Sequence, residues 1–190
     1  MNAPRRTADF KVYEAWEVVL RAKTLQDISN NRSFLEARQK VNAEVERCTH
    51  TAPAFSRDRR VALLTIKSGF QVHPVIATRW AGHLRVRGLQ LVMVANEGYH
   101  PSGQHTNFSC RIIASLRRLP ENERPNLIEI LKDYSRKVPD EGFLERVGVI
   151  LQKDTRKPVV GSYFRPISSY SRGQWKLELS QRFQRFRQKD

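Results

Sequence analysis

Apolar positions follow two different periods along this chain, and the switch between them divides it. From Ala8 to Ala22 the residues Phe10, Tyr13, Trp16 and Leu20 return every three or four positions, the period of one helix face, with Asp9 placed to cap it. The stretch "NRSFLEARQKVNAEVERC" predicts a second helix, with Phe34, Leu35, Val41 and Val45 on one side and charges opposite. The connector "THTAPAFSRDRR" carries Pro53, and after it the pattern becomes that of buried strands. "VALLTIK" (61–67) is short, apolar and β-branched. "SGFQVHP" turns the chain, and Pro74 at a first helical position predicts a helix through "VIATRWAGHLR". "LQLVMVA" (89–95) and "NFSCRII" (107–113) predict two further strands, separated by the polar, Gly- and Pro-bearing "NEGYHPSGQHT". "LRRLPENERP" reads as a loop, and "NLIEILKDYSRK" as a helix capped by Asn126. The expected architecture is α/β: a small mixed sheet flanked by helices over 58–148, preceded by two N-terminal helices over 1–57 and followed by an irregular basic tail over 149–190.

Charge sharpens that division. The chain carries a net charge of +15, and the 42 residues from Val149 hold ten Lys/Arg against three acids. The first 148 hold 24 against 16, so the body is only moderately basic and does not by its charge distinguish a nucleic-acid binder from other soluble proteins. No apolar run approaches the length of a membrane span, and "MNAPRRTADF" has no apolar segment of a secretory signal. Its two arginines leave a mitochondrial address open, although Asp9 and the brevity of the basic patch argue for the cytoplasm. The only two cysteines, Cys48 and Cys110, have no metal spacing and read as thiols in a reducing compartment.

Few motifs advertise chemistry. There is no Gly-rich phosphate loop, no Gly-x-Ser-x-Gly elbow and no His-Glu-x-x-His pair. His100 and His105 flank a turn and could meet, yet without carboxylates they make a poor metal site; they read as solvated loop histidines. His83 reads as packing or capping at a helix end. Cys110 alternates with Phe108 and Ile112, as a buried structural thiol would. Two places carry more. Ser109 and Arg111 fall on the same side of the third strand, where a hydroxyl and a guanidinium make a phosphate clamp or, on the bland reading, a solvated face with an incidental arginine. Ser68 and Gly69 lie where a strand end meets a helix start, a place that can offer free backbone N–H groups to an anion.

The run from Val61 to Ser115, followed by "NLIEILKDY", resembles the DHH-associated domain, the C-terminal, substrate-binding half of DHH phosphoesterases. The resemblance covers roughly 58–148. In that family a strand, a helix and two strands lead to a Ser-x-Arg motif, matched here by Ser109-Cys110-Arg111, then to a helix matched by Asn126 to Ile130. A loop of the form Gly-His-x-x-Ala-x-Gly completes the domain. The resemblance implies that Arg111 clamps a phosphate, with Ser109 in support and Ser68 and Gly69 as further candidates. The partner would be a phosphodiester, a short oligonucleotide or a polyphosphate.

Two departures qualify it. Family members hold Mn or Mg with Asp and His of an N-terminal catalytic half, and no Asp-His-His or Asp-x-Asp occurs in this chain. The expectation is a chain with no catalytic residues and no metal of its own, inert alone, which acts as a homodimer or with a DHH catalytic domain supplied in trans. The Gly-His loop is also missing after "FLERVG". Permitted codons for Val149–Gly161, read in a shifted frame, restore Gly-His-x-x-Ala-x-Gly, which makes a frameshifted or mis-spliced tail the preferred account of 149–190. The competing account is a non-enzymatic nucleic-acid-binding protein whose basic tail interleaves Phe183 and Phe186 with Arg182, Arg185 and Arg187.

Overall fold

A computed structural model of the chain describes residues 2–56 and 58–130 and the backbone of Val160–Phe164. A five-stranded mixed sheet stands at its centre, with strands in sequential order. β1 (Ala54–Phe55) runs antiparallel to β2 (Val61–Ile66), and β2 pairs in parallel with β3 (Leu91–Asn96), residue Leu64 facing Val94. β4 (His105–Ile112) is antiparallel to β3, and β5 (Val160–Phe164) is antiparallel to β4 at the far edge. The mixed α/β architecture is therefore the expected one. The difference lies in the basic tail, because five of its residues form an edge strand where only irregular structure was expected. The rest of 149–190 lies outside the described residues, as does the completion of the helix that opens at 127–130.

Strand alternation sends two apolar sets to opposite faces. Ala62, Leu64, Ile66, Val92 and Val94 form one core with Val41, Val45 and Cys48 and with Ile76, Ala77 and Ala81. Those side chains come from α3 (Arg32–Thr49) and α4 (His73–His83). On the other face Val61, Leu91, Phe108 and Cys110 pack with Leu127, at the start of the helical turn 127–130. Asn126 caps that turn through its Oδ1, which accepts from the amides of Ile128 and Glu129. Pro74 sits in the first turn of α4 as expected, and α4 ends at His83. Asn96 joins the two loops at the carboxyl ends of β2 and β3. Its Oδ1 accepts from the amides of Ser68 and Gly98, and its Nδ2 donates to the Phe70 carbonyl. A Cβ at Gly98 would stand 2.8 Å from the Ser68 nitrogen, so this close approach of two backbones requires glycine.

The N-terminal region departs further from expectation. The first helix is α1 (Val12–Arg21), and Asp9 does not cap it: Phe10 takes a left-handed φ of 47°, and Lys11 stands at the N-cap without a side-chain bond. No residue of α1 is buried, and its apolar stripe is left largely in solvent: Tyr13 is 87% exposed and Trp16 61%. Between the two expected helices lies a third, α2 (Leu25–Ser29), which starts on a reciprocal cap between Thr24 and Asp27. α3 is anchored by Asn31, whose Oδ1 accepts from the amides of Ser33 and Phe34, and it buries Phe34, Val41 and Val45 while Leu35 stays exposed. The expected loop after β4 contains α5 (Ala114–Arg117) and a 3-10 turn at Glu121–Glu123. No helix among the described residues is long and apolar enough to cross a membrane.

Candidate anion-binding site

β2 and β3 run parallel, and in such sheets ligands settle outside the carboxyl ends of the strands. Antiparallel β4 brings its amino-terminal half to that same end, with Asn107 opposite Asn96 and Ser109 opposite Val94. Alternation then places Asn107, Ser109 and Arg111 on the face that α4 covers, while Phe108 and Cys110 enter the opposite core.

Arg111 is held from two sides. Its Nε donates to Thr78 Oγ1 at 3.2 Å, and that hydroxyl in turn donates to the Pro74 carbonyl at 2.8 Å, one turn back along α4. Its Nη1 donates to the Cys110 carbonyl at 2.9 Å. These bonds leave Nη2 with no hydrogen-bond partner among the described residues. No carboxylate pairs with Arg111 there either, and burial pulls its pKa below the usual arginine value. A half-buried guanidinium fixed on one edge, open on the other and lacking a counterion is prepared for an anion.

Ser109 is fully buried, and its Oγ has no hydrogen-bond partner among the described residues. The bland reading of a solvated face therefore fails for it. His73, the first residue of α4, is 1% exposed, and neither ring nitrogen has a hydrogen-bond partner among the described residues. Burial lowers its pKa to about 4, helped by the positive charges of Arg111 and Arg6 nearby. The ring of Tyr99 lies 5.8 Å from its own, centre to centre. The Oδ1 of Asn107 and the Nε of Arg6 are likewise buried without a partner among the described residues. Unpaired buried polar groups are rare, and each costs about 1–3 kcal/mol.

Ser68 and Gly69 lie in the turn that leads to α4, and Ser68 is engaged there. The Ser68 hydroxyl donates to Glu44 Oε1 and accepts from the Phe70 amide at 3.0 Å. The amides of Ser68 and Gln71 are also taken, by Asn96 Oδ1 and by the Arg6 carbonyl. The Ser68, Phe70 and Gln71 N–H groups of the turn are thus taken by internal bonds, and the carboxylate of Glu44 repels a negative ligand. Glu44 itself is held below the usual carboxylate range by Arg47, 2.6 Å away.

His100 and His105 do meet, their ring centres 4.2 Å apart, with Ser102 Oγ within hydrogen-bond distance of both Nδ1 atoms. Among the described residues no group of three or more His, Cys, Asp or Glu side chains is placed to hold a metal ion, so the Mn or Mg of the resembled family finds no ligand set in them. Cys110 is buried, and its thiol is pushed up to about 12 by burial; Cys48 is also buried and raised. Both should stay unmodified by a thiol reagent in the folded chain and react fully in urea. Rapid labelling of either without denaturant would contradict this burial.

No protein-family model matches the chain, and no curated protein matches it. The functional reading rests on the geometry just described and on the short Ser-x-Arg resemblance.

Proposed function

We propose that this chain is the substrate-binding half of a DHH-type phosphoesterase, holding the phosphate of a phosphodiester or polyphosphate with Arg111 as the anion clamp and Ser109 as supporting donor. One observation carries the reading. Arg111, half-buried and without a carboxylate among the described residues, shares a sheet face with a buried, unpartnered hydroxyl. An anion there would receive bonds from the Arg111 Nη2 and the Ser109 hydroxyl, which no group among the described residues takes. Lacking the Asp-His-His motif, the 190-residue chain supplies binding and not chemistry. It should show no Mn- or Mg-dependent hydrolysis alone, and metal-dependent turnover by the purified chain would refute that.

Fluorescence anisotropy with a labelled short oligonucleotide tests the binding claim. Arg111→Ala should weaken binding about 10- to 100-fold, as loss of a charge-assisted hydrogen-bond pair does. The competing reading assigns binding to the basic tail. Its deletion must begin after Phe164, because β5 pairs with the strand that carries Ser109. Removing 165–190 should only flatten the dependence on salt. If that deletion removes most of the affinity while Arg111→Ala changes little, the tail is the binding element and the proposed reading is wrong.

A further inference from the structure

The loop that joins β3 to β4 gathers three donor atoms that the anion site does not use. His100 and His105 flank a tight turn there, with ring centres 4.2 Å apart and ring planes inclined by 36°. Ser102 Oγ lies 2.8 Å from His100 Nδ1 and 3.1 Å from His105 Nδ1, so two imidazole nitrogens and a hydroxyl oxygen converge on one spot. The turn holds them in place. The Gly103 amide donates to the His100 carbonyl at 2.9 Å, Pro101 takes the turn position that suits its fixed φ, and Gly103 has a left-handed φ of 65°. The Gln104 amide donates to Ser102 Oγ at 3.2 Å, and His105 is the first residue of β4. The Ser102 amide donates to His100 Nδ1 at 3.3 Å. An amide N–H only donates, so this nitrogen presents a lone pair, and the ring is in the neutral form that a metal ion needs.

We propose that His100, Ser102 and His105 form a binding site for a divalent cation of the imidazole-preferring class, Zn²⁺, Ni²⁺ or Cu²⁺. The donors select the ion. No third His, Cys, Asp or Glu among the described residues joins the pair, which leaves Mg²⁺ and Mn²⁺ without the carboxylate oxygens they prefer. Two imidazole nitrogens suit the later first-row ions instead, Cu²⁺ most strongly. The Nδ1 atoms are the main ligands, the hydroxyl is a weak third, and water takes the remaining positions. Water reaches them because Ser102 is exposed and both rings are partly exposed. From Glu97 to His105 the chain has one acid and no Lys or Arg, so this loop spares a cation the repulsion that a net charge of +15 sets against it elsewhere. The bound ion ties the turn to the start of β4. This site is independent of the reading of Ser109 and Arg111 and stands if that reading fails.

The test is isothermal titration of the full chain with ZnCl₂ in a phosphate-free buffer, joined by electron paramagnetic resonance of the chain with one equivalent of CuCl₂. Zn²⁺ should bind saturably, and excess Mg²⁺ should not displace it. His100→Ala and His105→Ala should each weaken Zn²⁺ binding at least about tenfold. The Cu²⁺ spectrum should show coupling to two imidazole nitrogens in the wild type and lose one of them in either variant. His50, 3.3 Å from Glu46, is the rival pair, and His50→Ala should leave both readouts unchanged. Absence of saturable Zn²⁺ binding overturns the proposal, as does binding that survives in both loop variants or disappears in His50→Ala. A thermal melt without metal checks each variant, and added Zn²⁺ should raise the midpoint of the wild type but not of the loop variants. Should one loop variant fail to fold, the other variant and the two-nitrogen coupling of the wild type decide.

Discussion

Leu64→Ala is expected to cost about 2–5 kcal/mol, a large part of the roughly 5–15 kcal/mol that holds a domain of this kind together. Leu64 is 1% exposed on β2, faces Val94 across the parallel ladder and lies in the core shared with α3 and α4. Truncation leaves a cavity bounded by a sheet on one side and two helices on the other, so little can collapse to fill it. Urea unfolding followed by circular dichroism measures the loss. A change below about 1 kcal/mol would mean that this core does not hold the sheet to its helices.

The second large effect is on pH. His73 has its folded pKa at about 4, well below the ordinary histidine value near 6.5 in an unfolded chain. A proton is therefore bound more readily by the unfolded state, and stability falls as pH drops from about 6.5 to about 4, then stops falling on account of this residue. The full loss is on the order of 3 kcal/mol. Other groups titrate nearby, among them Glu44, whose lowered pKa removes stability only as pH falls through and below the carboxylate range. The difference between wild type and His73→Gln isolates the imidazole. The variant should lose the slope between pH 6.5 and 4. Identical pH profiles for the two proteins would show that His73 is not buried neutral.

The central layer of this fold was legible because each element announces itself locally. "VALLTIK" and "LQLVMVA" are apolar runs of strand length, and Pro74 marks where the helix between them begins. What was missed depends on neighbours distant in sequence. The Thr24-x-x-Asp27 cap was readable in the chain, but α2 is short and carries little apolar periodicity. The stripe of α1 has helical spacing, yet spacing does not say what the helix packs on, and no residue of it is buried. Alternation put Ser109 and Arg111 on one face without saying that α4 closes over it. The burial of His73, one of five scattered histidines, exists only once the turn before it and α4 are folded. Ser68 looked available for the converse reason: Glu44, which takes its hydroxyl, lies 24 residues away in the chain.

The most direct test of the site is a nuclear magnetic resonance titration of the ¹⁵N-labelled chain with inorganic phosphate. The predicted result is saturable shifts at the Arg111 guanidinium Nε group and the Ser109 amide, following one binding curve that Arg111→Ala abolishes. Shifts confined to residues 165–190, or none at the β4–α4 face at saturating phosphate, would contradict the account.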